Sequence, residues 1–180
     1  AKEEQQQRQL ERLKNQVQFE KNKLEEILSI EEELIGIVKL DQLVEFVVEK
    51  TRKILGAEKC SLMLIDESDG ELCIRAQRGL NEKVLIEEAI DLEDSIASAI
   101  AQRGKPVLVR DIETHKDFAR PKRNSYSTKS FMSVPMKMDN NLIGVINVAD
   151  KKQADGIFTK IDLKILNTLS RQVAVAVENA

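Results

Sequence analysis

A chain of 180 residues has room for one ordinary globular domain and an attached element. Charged residues make up 33% and hydrophobic residues 42%, the composition of a soluble globular protein. The charges nearly cancel at −3, which argues against nucleic acid as a partner, and no apolar run is long enough to insert in a membrane. Aromatics are scarce at 3% and Trp is absent, so the core must come from Leu, Ile, Val and Ala. Cys60 and Cys73 are isolated thiols in apolar runs, which fits core packing in a reducing compartment. The N-terminus is polar and shows no signal peptide, so a cytoplasmic setting is expected.

Residues 1–36 hold Glu, Gln, Lys and Leu with only a terminal Gly36 and no Pro. Leu10, Val17, Leu24 and Val38 recur at one heptad position, and Leu13, Ile27 and Leu34 at the other. Glu20 and Glu31 interrupt the seam. The pattern predicts a long dimeric, parallel coiled-coil helix over 1–36, followed by a domain over 37–180. A solvated helix packed on its own domain is the alternative.

A second helix is predicted over about 41–55, with Leu43, Val47, Thr51 and Ile54 on one face and Gly56 as its stop. The period then changes to two. Residues 60–66 and 71–76 read as a strand pair around the turn Ser68-Asp69-Gly70. A mixed segment runs to Leu92. Asp94 or Ser95 would cap a short helix over 96–102 that ends at Gly104. Residues 106–109 form a short strand. A polar stretch over 111–130 carries the lone His115 and the basic Arg120, Lys122, Arg123 and Lys129. Residues 131–137 and 142–148 form a hairpin, with a bulge or strand end expected at Pro135. A last helix runs over about 159–179, capped by Thr159. Strands neighbouring in sequence predict an antiparallel sheet with flanking helices, an α+β fold.

Several stretches together resemble the GAF family of small-molecule sensor domains, over roughly residues 40–180. They are Ala57-Glu-Lys-Cys-Ser-Leu-Met-Leu-Ile-Asp66, Ser133-Val-Pro-Met136 with Leu142-Ile-Gly-Val-Ile-Asn-Val148, and Ala174-Val-Ala-Val-Glu-Asn-Ala180. The resemblance implies a GAF-like antiparallel sheet with flanking helices in a fragment of a bacterial-type signalling protein. The closest motif is that of the cyclic-nucleotide-binding branch found in phosphodiesterases and adenylate cyclases. That branch carries Asn-Lys, a gap, Phe, three residues and Asp-Glu. Here the matching residues are Asp150-Lys151, Phe158, Asp162 and Leu163, so the Asn is Asp and the Glu is Leu. In that branch the Lys and Asp pair to keep the pocket closed, which makes Lys151 and Asp162 the expected closing pair. A buried Phe followed by an ordinary Thr N-cap with an acid at its third position explains Phe158 and Thr159 equally.

Carried over residue by residue, the resemblance implies a pocket made by Ser61, Gln77, Arg78, Ile96, Ala97, Asn124, Tyr126, Thr128 and Asn147. The Phe-Asp often found near Gln77 and Arg78 is absent. Backbone N–H groups at Ile96 and Ala97, with Asn124 and Thr128, suit a phosphate, and Arg78 suits a base edge. Ser61, Ile96 and Ala97 are also explained as core positions of the fold. The implied ligand is a cyclic nucleotide, cyclic AMP ahead of cyclic GMP. No covalent cofactor is expected, because the 111–130 stretch lacks a Cys for a bilin. No metal is expected, because His115 has no His or Cys neighbours. Catalysis is not expected, since no nucleophile–base pair, phosphate loop or metal spacing is present. The expected role is a regulatory domain that homodimerises through its terminal helices. It would drive an output domain such as a diguanylate cyclase or a kinase beyond residue 180, the chain beginning and ending inside helical patterns. The alternative is a ligand-free dimerisation or scaffold module.

Overall fold

The computed structural model describes residues 1–80, 96–119, 121–122, 126–153 and 155–180. The predicted mixed segment, the Asp94 or Ser95 cap, Arg120, Arg123 and Asn124 lie outside them. The described elements are α1 (Lys2–Ile35), α2 (Leu40–Leu55), β1 (Ala57–Ile65), β2 (Leu72–Arg78), α3 (Ile96–Arg103), β3 (Val107–Val109), β4 (Phe131–Met138), β5 (Asn141–Lys151) and α4 (Lys160–Asn179). The strands form one antiparallel sheet in the order β2-β1-β5-β4-β3.

Alternation along the strands divides the side chains between two faces. Cys60, Leu62 and Leu64 of β1, Met132, Val134 and Met136 of β4, and Ile146 and Val148 of β5 meet α1, α2 and α4 in the main core. Met63, Leu72, Ile74 and Val145 look the other way and pack on Ala97 and Ile100 of α3. The division explains the buried stripes. In α2, Leu43, Val44, Val47, Val48, Thr51, Ile54 and Leu55 recur at helical spacing, and Gly56 ends the helix in the left-handed region at φ 60°. At Gly144 a Cβ would collide with the Met63 carbonyl oxygen. Only glycine lets β5 pass so close to β1 there.

Pro135 does not end its strand. It pairs with Val145, and the bulge falls one step later, between Met136 and Lys137. A missing amide is tolerated because β3 stops pairing at Ser133, so that among the described residues no strand pairs with that stretch of β4 on its outer side.

The long N-terminal helix is present, but it uses two stripes. Ile27, Ile30 and Leu34 are buried in the main core. Lys23 reaches the Ile54 carbonyl at 2.8 Å, and Gln172 of α4 donates to Glu31 at 3.4 Å. Leu10, Leu13, Val17, Leu24, Leu28 and Ile35 form a separate stripe, between 53% and 80% exposed. A whole number of 3.6-residue turns separates Leu10 from Leu28 and Val17 from Ile35, so this stripe runs straight along the helix. The heptad pattern merges the two stripes. Ile27 and Leu34 belong to the intramolecular one.

The sheet also sets the cysteine chemistry. Burial pushes the Cys60 thiol up to about 12. Cys73 is half-buried on β2; desolvation, then Asp69, Asp66 and Glu71, raise it as well. Thiolate is the reactive form. The native protein at pH 8 is therefore expected to label slowly at Cys73 and not at Cys60, with both labelling in denaturant. Peptide mapping after alkylation checks this.

Candidate functional site

The polar side chains that the sequence scattered over four strands come together as one row. In register across the sheet stand Gln77 of β2, Ser61 of β1, Asn147 of β5 and Ser133 of β4. They share the face of Met63 and Val145, opposite the main core. Asn147 is the hub. Its amide donates to Ser61 Oγ at 3.3 Å and touches Met63 Sδ at 3.7 Å, and its Oδ1 accepts from Ser133 Oγ at 2.5 Å. Ser61 and Ser133 are buried, while Asn147 and Gln77 are half-buried. A row of amides and hydroxyls with no formal charge suits a ligand group that both donates and accepts hydrogen bonds.

Further along the same face, β1 contributes Lys59, two residues before Ser61. Its ammonium pairs with Asp150 and lies 5.4 Å from the Tyr126 ring centroid. Asp150 is 1% exposed. It also accepts the backbone N–H groups of Ser127, at 3.0 and 3.1 Å, and Thr128, at 3.0 Å. Burial alone would raise its pKa. The hydrogen bonds from Lys59, Ser127 and Thr128 outweigh burial and hold the carboxyl below its usual value.

A folded pKa below the unfolded one means stabilisation that is complete above the ordinary Asp value of about 3.9 and lost as pH falls through the lowered value. Lys59→Met removes the main group that lowers it. The acid unfolding transition, followed by circular dichroism, is expected to move to higher pH in that variant. An unmoved transition would show that the pair does not set acid stability.

The next residue, Lys151, turns to α4. Its Nζ donates to Asp162 at 2.8 Å and to the Ile157 carbonyl at 3.3 Å. Asp162 also completes a capping box: Thr159 N–H donates to its Oδ2 at 2.9 Å, and its own N–H donates to Thr159 Oγ1 at 3.2 Å. The pairing reading and the capping reading of this motif therefore hold together. Phe158 is fully buried in the main core.

The remaining expected residues separate. Arg78 stands beside Cys60 in the register and so faces α2, where it pairs with Glu45 at 2.5 Å and Glu49 at 3.5 Å. It does not point to the face of Gln77 and Ser61. Ile96 and Ala97 begin α3, and their side chains pack in the smaller core. Only their backbone N–H groups, which a helix leaves without an internal partner, suit an anion. Thr128 Oγ1 is already engaged, donating to the Ser130 carbonyl at 3.3 Å and accepting the Ser130 N–H at 3.4 Å. Tyr126 sits over Lys59. Asn124 lies outside the described residues. His115 stacks on Phe118, with ring centroids 5.3 Å apart.

Sequence reasoning missed Lys59, Ser133 and the carboxylate role of Asp150. The signals were present: a lysine inside an apolar strand, and an acid where the related motif has an amide. Among the described residues no group of three or more His, Cys, Asp or Glu is placed to hold a metal. No described helix is long and apolar enough to cross a membrane.

Comparison with known proteins adds family and fold. The model of the GAF domain matches residues 39–177. A Caenorhabditis elegans protein named "probable 3′,5′-cyclic phosphodiesterase pde-5" is 25% identical over 137 residues, which is 70% of this chain and 18% of that protein. The chain thus spans less than a fifth of that relative. Among solved structures, the GAF domain of an Acinetobacter phosphoenolpyruvate-protein phosphotransferase superposes with a TM-score of 0.72 at 25% identity, covering 87% of this chain and 93% of that one. The GAF domain of the Coxiella burnetii phosphoenolpyruvate-protein phosphotransferase gives 0.75 at 21%, with 89% and 95% covered. The free methionine-R-sulfoxide reductase of Neisseria meningitidis, solved with its substrate, gives 0.70 at 20%, with 87% and 89% covered.

Proposed function

The chain belongs to the GAF domain family, and from that premise we propose that it is the regulatory, small-molecule-binding domain of a cytoplasmic signalling protein. It acts by binding and relaying rather than by catalysis. The observation that carries the reading is the row Gln77–Ser61–Asn147–Ser133, with Asn147 bonded to both serines. The row bonds itself, but an apolar strand pair would have served the fold alone, and hydroxyls and amides on this face suit a ligand that donates and accepts hydrogen bonds.

A cyclic nucleotide, cyclic AMP ahead of cyclic GMP, is the proposed ligand. Support comes from the Lys151–Asp162 pair, which stands where the nucleotide-binding branch closes its pocket, and from the name of the nematode relative. The base would lie along the polar row. The phosphate would approach the first-turn amides of α3. Arg78 is committed to α2, so base reading falls to Gln77 and Asn147. The signal would pass through a homodimer of the terminal helices to an output domain such as a diguanylate cyclase or a kinase.

Asn147→Ala removes the hub of the row. In thermal-shift titrations with cyclic AMP and cyclic GMP, wild type is expected to be stabilised and Asn147→Ala to need about tenfold more nucleotide, the loss of one net hydrogen bond. Equal shifts in both proteins would remove the row from the binding site. The second reading, a ligand-free dimerisation and scaffold module, is favoured by the exposed α1 stripe alone.

A further inference from the structure

We propose that Asp150 and Lys151 form one coupled latch, through which the position of the segment 126–130 sets the capping of α4. This goes beyond the ligand reading and holds whatever the domain binds.

The geometry begins at Asp150. It adopts φ 57°, a left-handed conformation that a residue other than glycine occupies at some cost. The turn brings Asp150 to the face that carries Lys59, and Lys151 to the side of α4. Asp150 takes Lys59 and the amides of Ser127 and Thr128. Lys151 takes Asp162, the acid that caps α4.

Two further contacts run in parallel. Ser130 Oγ donates to the Val109 carbonyl at 2.8 Å and accepts the Phe158 N–H at 3.0 Å, so the same segment is bonded to the lead-in of α4. Thr128 also abuts Gly156. A Cβ at Gly156, where φ is 73°, would stand 2.7 Å from Thr128 Cγ2. The turn before α4 therefore rests on the residue whose amide Asp150 holds. The segment cannot leave Asp150 without disturbing the two contacts, Ser130–Phe158 and Thr128–Gly156, that tie it to the lead-in of α4. The Asp of this motif, in place of the related Asn, is explained as well: a carboxylate can take the Lys59 ammonium and two amides together.

The buried charges make the device two-state. With Asp150 seated, Lys59 is compensated. With the segment displaced, the buried Asp150 carboxylate loses two of the donors that compensate it. Intermediate positions are unfavourable, which is what a switch requires.

Spatial continuity alone does not establish coupling, so the test measures it. Amide hydrogen exchange of the full chain is followed in wild type, Asp150→Asn, Lys151→Met and the double variant. Asp150→Asn is expected to speed exchange at Ser127 and Thr128. It should also speed exchange at Asp162 and Leu163, in the first turn of α4, by at least about fivefold, the lower end of linkage between coupled sites. The double variant should show less than the product of the two single effects. Lys59→Met combined with Asp150→Asn leaves no unpaired buried charge, and so supplies a background in which general destabilisation is small. The proposal is overturned if Asp162 and Leu163 exchange at the wild-type rate in both Asp150 variants. It is equally overturned if the single effects multiply without interaction.

Discussion

Asp150→Ala is expected to cost the folded domain about 3–5 kcal/mol, the range for breaking one side of a buried ion pair. The carboxylate is buried, and its removal leaves the buried Lys59 ammonium unpaired and takes the acceptor from the amides of Ser127 and Thr128. Among the described residues Lys59 then keeps the Tyr126 ring, which compensates a desolvated cation by about 2 kcal/mol. Against a total stability of roughly 5–15 kcal/mol this is a large share. Urea unfolding at pH 7 measures it. The matched control is Arg75→Ala, which removes a pair with the exposed Asp41 at 3.3 Å. Its cost should stay below about 1 kcal/mol. A loss at Asp150 no larger than that at Arg75 would mean that the interior relaxes around Lys59.

The second large effect concerns where the chain is cut. A chain shortened by residues 1–36 is expected to lose most of its stability. Ile27, Ile30 and Leu34 are buried in the main core, and uncovering the surface they occupy costs about 1.5–3 kcal/mol for each side chain. A chain shortened only by residues 1–22 should fold as wild type, since every residue in that stretch is exposed. It should nonetheless associate less, because Leu10, Leu13 and Val17 go with it. An exposed helix this apolar on one side is marginal alone in water and is stabilised by a partner. Thermal melts and light scattering on the two shortened chains separate the effects. The account of α1 fails if the 23–180 chain dimerises as strongly as the whole.

The elements were legible because periodicity reports local geometry. The α2 stripe, the Ser68–Gly70 turn and the Thr159 cap each depend on neighbours in sequence, and each falls within a residue or two of its expected place. The GAF fold was implied by the resemblance of the stretches 57–66, 133–148 and 174–180 to that family. What periodicity does not report is which surface a stripe meets. Ile27 and Leu34 fit a heptad and also fit α4, and only packing distinguishes the two. Arg78 shows the limit of carrying a pattern over residue by residue. Adjacent residues on a strand face opposite sides, so Gln77 and Arg78 could not both line one pocket. The pair Lys59–Asp150 joins residues 91 apart in sequence, and no local pattern records such a contact. The polar row was half legible. Ser61, Gln77 and Asn147 were found by resemblance, while Ser133 stood unnoticed inside a strand motif until the β4–β5 register placed it against Asn147.

The ion pair Lys151–Asp162 illustrates how one residue serves two ends. Asp162 Oδ2 receives both the Lys151 ammonium and the Thr159 amide. Helix capping and the pairing with Lys151 are therefore not competing explanations of Asp162.

The most direct test of the central claim is native mass spectrometry of the purified 180-residue chain, first as isolated and then titrated with cyclic AMP and cyclic GMP. The account predicts one small molecule per chain, either carried through purification or bound below millimolar nucleotide, with affinity falling about tenfold in Asn147→Ala. A chain that carries nothing as isolated and binds neither nucleotide at millimolar concentration would contradict it, and would leave the scaffold reading in its place.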